Sequence, residues 1–210
     1  MRIKANAYID GFNLYYGCLR GTPYRWLDIW EFCSRLLPDR YDLGHVRYFT
    51  ARMVPLDHDP GAPGRQRLYL RALSTLPGVS VHFGHFLKNT TYMPLATPSP
   101  DGPRTVQVIK TEEKGSDVNL ACSLLLDAFK GRCGAALVVT NDSDLLEPIR
   151  IVRREFGTTV GLVPPHQRPA NVLRKESDFI RSIRKSTLRN CQFPAVMVDT
   201  LGELTKHQGW

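Results

Sequence analysis

Carboxylates with no evident partner are the first chemistry this chain offers. Asp10 closes the apolar run Ala7-Tyr-Ile9 inside "YIDGFNLYYG", Asn13 follows three residues later, and a second polar cluster, Thr140-Asn-Asp-Ser-Asp144, stands directly after the apolar run Ala135–Val139. Asp and Asn after a strand commonly serve as turn and cap residues. Asp144 with Glu147 reads equally as a capping pair for a helix that Pro148 helps to start. Asp142 precedes that cap position and is harder to explain as a cap. Asp117 opens a helical stretch whose apolar stripe is Ala121, Leu124, Leu125 and Ala128; lying four residues before the first of them, it falls on the core-facing side. A carboxylate there is costly to ionise unless a cation or hydrogen-bond donors meet it, although Ser116 or Asp117 also suits an N-cap. Oxygen-only ligands suit Mg²⁺ or Mn²⁺, and no paired His or Cys stands nearby to suggest zinc. Two such ions can activate water and stabilise the leaving oxygen of a phosphodiester.

The elements that must position these groups follow from periodicity. Strand patterns fall at 3–9, 46–54, 79–86, 135–140 and 158–163, and helical patterns at 28–37, 65–76, 116–129 and 145–156, with a loop at 55–64. This alternation predicts an α/β chain, a mostly parallel central sheet with helices on both faces. In such sheets functional groups gather outside the carboxyl ends of the strands, near the switch point. Asp10 and the 140–144 cluster both fall at that edge. A segment rich in Pro, Thr and Ser, about 88–110, reads as a surface arm with a second strand at 105–110. One domain over 1–185 and a C-terminal extension over 186–210 are expected.

Composition narrows the partners. The 210 residues include 28 Lys and Arg against 20 Asp and Glu, a formal net charge of +8, and such an excess favours polyanions. No apolar run reaches the roughly 18 residues of a membrane span and no signal-peptide pattern opens the chain, so a cytoplasmic protein with no membrane partner is expected. Five widely spaced cysteines fit a reducing compartment and packing roles. Neither G-x-G-x-x-G nor a P-loop is present, and Phe12 stands where a haloacid dehalogenase-type phosphatase needs a second aspartate. Lys114, Asn141 and Ser143 are candidate substrate contacts, as are Arg104 and Lys110 on the arm, where Tyr92 offers a ring for stacking.

Three motifs carry a resemblance: "YIDGFNLYYG", "EKGSDVNLACSLLLDA" over 113–128, and "ALVVTNDSDLLEPI" over 136–149. In this order they resemble the NYN domain family, PIN-like proteins related to the LabA group of bacterial proteins, over about 4–163 and more weakly to 184. The resemblance implies a Rossmann-like PIN-type fold and a metal-dependent ribonuclease. Asp10, Asp117 and Asp142 would bind Mg²⁺ or Mn²⁺, Asp144 would complete or orient the set, and Asn13 would hydrogen-bond near Asp10 or the scissile phosphate. The partner would be RNA, single-stranded or structured. A non-catalytic RNA-binding or regulatory adaptor of the same fold is the alternative, and the Pro-rich arm is compatible with a homodimer.

Overall fold

The computed structural model describes residues 2–55 and 59–210, so part of the expected 55–64 loop, residues 56–58, lies outside the described residues. In chain order the elements are β1 (Ile3–Asp10), α1 (Gly11–Leu14) running into a π-helical turn (Tyr15–Leu19), α2 (Ile29–Leu36), β2 (Tyr41–Ala51), α3 (Ala62–Leu73), β3 (Val79–Pro94), β4 (Thr105–Lys114) and α4 (Ser116–Phe129). There follow β5 (Ala135–Val139), a 3₁₀ turn (Ser143–Leu145), α5 (Leu146–Arg154), β6 (Thr159–Leu162), α6 (Asn171–Lys175), β7 (Phe179–Ile180), α7 (Lys185–Asn190), β8 (Val196–Asp199) and β9 (Gly202–Thr205).

Side chains on a strand alternate between faces, and β1 has apolar residues at both parities because both faces are covered. Ala5, Ala7 and Ile9 pack with Phe32 and Leu36 of α2 and Tyr69 and Leu73 of α3. Tyr8 packs on the other side with Leu120 and Leu124 of α4 and Ile149 and Val152 of α5. The fold is therefore α/β, with helices on both faces of a seven-stranded sheet ordered β4-β3-β2-β1-β5-β6-β7. Every neighbouring pair is parallel except β3 and β4. The chain steps outward from β1 through β2 to β3, and α4 then returns it to β5 on the other side of β1. The reversal of strand order thus falls between β1 and β5, the crevice where open α/β sheets place ligands.

Asp28 caps α2 by accepting from the backbone N–H of Glu31 at 3.0 Å; Glu31 turns instead to Arg35 at 2.6 Å, so only half of a capping box forms. The arm is a hairpin, as its turn residues suggest, but its strands are longer than expected: pairing runs from His85 opposite Lys114 to Pro94 opposite Thr105. Leu188, Cys191, Phe193 and Leu204 join the core on the α2 side. Of the five cysteines, Cys33, Cys133 and Cys191 are buried and Cys18 half-buried, but Cys122 is exposed, so packing does not account for it. Among the described residues, no helix is long and apolar enough to cross a membrane.

Candidate active site

Asp10 sits at the carboxyl end of β1, only 5% exposed. One carboxylate oxygen accepts the backbone N–H of Asn13 at 2.9 Å, capping α1, and the other accepts the Thr140 hydroxyl at 3.2 Å. Burial outweighs these donors. Together with the charges of Asp117 and Asp142, it pushes the Asp10 pKa up to about 7. Gly11 follows in an ordinary helical conformation, so backbone freedom is not why glycine stands there. A Cβ at Gly11 would lie 2.6 Å from the Tyr48 ring and 2.7 Å from the Phe49 carbonyl oxygen, and close approach is the reason.

Thr140 joins the two strand ends, because its hydroxyl also accepts the backbone N–H of Asp142 at 3.1 Å. Asn13 forms a second tie: its side-chain oxygen accepts the backbone N–H of Asn141 at 3.0 Å. The bond near Asp10 is therefore made by the Asn13 backbone, while the side chain reaches across the switch point. Asp142 caps the 3₁₀ turn through the Asp144 N–H at 2.9 Å. Ser143 and Asp144 face solvent.

Asp117 enters from α4. The N-cap position is Gly115, at φ 95°, and it lends no side chain to the helix. Glu113 serves instead, accepting both the backbone N–H and the hydroxyl of Ser116, at 3.1 and 2.7 Å. Asp117 is thus free of the capping role that its position allowed. Burial raises its pKa, reinforced by Asp142, then Glu113 and Asp144. Asp10, Asp117, Asp142 and Asp144 form one electrostatic cluster drawn from three parts of the chain. Among the described residues, no Lys or Arg stands within ion-pair distance of any of them. The donor set, all oxygen and mutually repelling, fits a hard divalent cation. Among the described residues, however, no three His, Cys, Asp or Glu side chains close into a ligand set. A cation that keeps several of its waters and takes one or two carboxylates, as Mg²⁺ does, needs no such cage.

The other candidates divide. Lys114 ends β4 three residues before Asp117, exposed, with its ammonium 3.6 Å from Glu112. Lys110 pairs with the same glutamate at 2.6 Å. It lies four residues back along β4, about 13 Å at about 3.3 Å per residue, and Arg104 lies beyond the strand's start, so neither is brought into the cluster. The Asn141 amide is engaged by the following loop, donating to the Arg168 carbonyl at 3.2 Å and accepting the Ala170 N–H at 2.7 Å. Arg150, Arg153 and Arg154 on α5 are held in ion pairs by Glu176, Asp178 and Glu147, with Arg150 and Arg153 only half exposed. Sequence reasoning missed Thr140 and Glu113 as positioning residues, although both stand inside the motifs.

No family model matches the chain. It is 32% identical to the 6-hydroxy-3-succinoylpyridine 3-monooxygenase HspA of Pseudomonas putida (strain DSM 28022 / S16), over 93% of this chain and 72% of that protein. The chain belongs to the HspA family. Its fold is similar to that of a crystal structure of a protein of unknown function, VPA0982 from Vibrio parahaemolyticus RIMD 2210633, with a TM-score of 0.56 and 13% identity over 88% of this chain and 94% of that one.

Proposed function

We propose that this member of the HspA family is a PIN-type ribonuclease, hydrolysing RNA phosphodiester bonds with Mg²⁺ or Mn²⁺ held by Asp10, Asp117, Asp142 and Asp144. One observation carries the reading: four carboxylates gather at the switch point of the sheet, burial and the neighbouring carboxylates raise the proton affinity of Asp10 and Asp117, and among the described residues no Lys or Arg neutralises them. The three-motif resemblance to the NYN domain family supports it. The bound ion would supply Lewis acidity and make a bound water more acidic than bulk water. The chain's own residues provide the frame. The Asn13 N–H and the Thr140 hydroxyl fix both oxygens of Asp10, and Thr140 keeps Asp142 in register with it. Exposure of Ser143 and Asp144 leaves the edge open to a polymer, Lys114 sets a cation beside it, and the net charge of +8 favours approach of a polyanion.

The test is cleavage of end-labelled single-stranded and hairpin RNA in Mn²⁺ or Mg²⁺, with EDTA and the Asp117→Asn and Asp142→Asn variants alongside. Cleavage that needs both the metal and the two carboxylates is expected. Cleavage that persists in either variant points to a contaminating enzyme and refutes the assignment; RNA binding that survives chelation without any cleavage selects the adaptor.

A second reading rests on the named relative. On it the chain, like HspA by its name, is a monooxygenase acting on a pyridine that bears a succinoyl chain. Incubation with 6-hydroxy-3-succinoylpyridine, ¹⁸O₂ and an electron donor would then place one ¹⁸O atom in a pyridine product, with the other oxygen atom reduced to water.

A further inference from the structure

Next to the carboxylate cluster, on the α1 and α3 side of β2, a cavity of about 170 Å³ opens between Gly11, Tyr16, Arg20, Tyr48, Tyr69 and Trp210. Aromatic rings form part of its walls, beside arginines and smaller side chains. Tyr69 and Trp210 meet edge to face at 6.2 Å between ring centres, and Tyr48 meets Tyr69 at 6.2 Å. A cavity near 150 Å³ with apolar walls holds one benzene-sized ring, so this one is the size of a single six-membered ring.

Two polar side chains in it have no partner among the described residues. Tyr48 is only 8% exposed, yet its hydroxyl makes no hydrogen bond among the described residues, whereas the Tyr69 hydroxyl donates to the Leu27 carbonyl at 2.8 Å. The hydroxyl is not sealed from solvent, so it is free to meet a molecule in the cavity. It stands against Gly11, where an added Cβ would come within 2.7 Å of it, one residue from Asp10. At the rim, the Arg20 guanidinium lies over the Tyr16 ring at 5.4 Å and makes no ion pair or hydrogen bond among the described residues. The other arginines of the cavity are engaged: Arg25 donates to the Thr22 and Gly209 carbonyls, and Arg65 pairs with Asp59.

We propose that this cavity binds one planar six-membered aromatic ring carrying an anionic arm, the ring held between Tyr16, Tyr69 and Trp210 with a polar edge on the Tyr48 hydroxyl, and the arm on Arg20. Two sources share this chemistry, a pyrimidine nucleotide of RNA and a free aromatic acid. The cavity itself stands apart from the nuclease reading; only the nucleotide source rests on it.

Isothermal titration of the full chain in EDTA separates these. The probes are uridine 5′-monophosphate, 6-hydroxypyridine-3-carboxylate and, as the control lacking a ring, inorganic phosphate. At least one ring-bearing anion is expected to bind where phosphate does not. Tyr48→Phe, which keeps the ring, and Arg20→Ala, at the surface, should each weaken binding about tenfold, with circular dichroism unchanged. Binding of uridine monophosphate assigns the nucleotide source, and binding of the pyridine acid alone assigns the free acid. If neither binds, or if binding is indifferent to both variants, the proposal is overturned. Because nothing is cleaved in EDTA, that failure leaves the nuclease reading untouched, and a failed cleavage assay leaves the cavity untouched.

Discussion

Replacing Asp10 by Asn should stabilise the metal-free protein, and most strongly at high pH. The carboxyl is 5% exposed and its pKa is raised to about 7 against an ordinary value of 3.8, so the fold prefers the neutral form. For an acid shifted upward, stability is fullest below the unfolded pKa and is lost as pH rises from about 4 to about 7. The gap of about 3 pH units, at about 1.4 kcal/mol each, sets an upper figure of about 4 kcal/mol. Relaxation of the site brings the expected gain to about 2–4 kcal/mol at pH 8. For a chain of this length that is a rise in Tm of about 4–16 °C. Asn keeps an acceptor for the Asn13 N–H, and its amide can donate to Thr140, whose hydroxyl has a lone pair to spare, so neither hydrogen bond is forfeited. Thermal and urea unfolding of both proteins from pH 4 to pH 8.5 in EDTA decides the matter. The two curves should converge near pH 4 and separate as pH rises. A variant no more stable than the parent at pH 8, or a difference independent of pH, would refute the claim that an unneutralised charge is buried here. The same variant should cleave no RNA, so that stability and activity move in opposite directions.

Mg²⁺ or Mn²⁺ at millimolar concentration should raise the Tm of the parent protein at pH 7.5, because an ion that binds only the folded state stabilises it by mass action; differential scanning fluorimetry should find the rise lost in an Asp117→Asn, Asp142→Asn double variant. Asp127→Ala should cost about 3 kcal/mol in urea unfolding. It removes the carboxylate that Arg47 grips with two bonds at 2.9 and 3.0 Å and that Arg132 and Tyr8 also reach, and a buried ion pair broken on one side is strongly destabilising; the cost sits at the low end because Arg132 reaches solvent. Glu113→Ala should cost about 0.5–2 kcal/mol through loss of the cap on α4, measured in the same way, while the metal-dependent rise in Tm persists.

What could be read from the sequence was whatever depends on local order. Apolar runs ending in acids marked the carboxyl ends of β1 and β5, and the alternation of strand and helix was enough for a mostly parallel sheet. What could not be read depends on partners distant in sequence. β3 continues to Pro94 through Thr90 and Tyr92 because β4 pairs with it from the far side of a turn, and a Thr- and Pro-rich stretch does not announce that pairing. The stripe of α4 is centred on Leu120, Leu124 and Ala128, with Ala121 and Leu125 only partly buried, since the sheet it packs against sets its rotation. The cavity has even less local signature, being closed by residues as far apart as Tyr16, Tyr48 and Trp210.

Two acids on α4 show what a sequence pattern leaves open and what the structure adds. Asp117 and Asp127 both fall on its inner side, and nothing in their immediate neighbours separates them. Asp127 is met by Arg47, 80 residues earlier in the chain, and by Arg132, and its pKa is lowered because these cations and the Tyr8 hydroxyl outweigh the effect of burial. Asp117 is met by Asp142, Glu113 and Asp144, and its pKa is raised. The fold therefore neutralises an inward carboxylate when structure is all that is required of it. At the switch point, by contrast, four carboxylates stand together and, among the described residues, no Lys or Arg lies within ion-pair distance of them. Such an arrangement lowers the stability of the free protein, and the proposed hard divalent cation is the ligand that would compensate it.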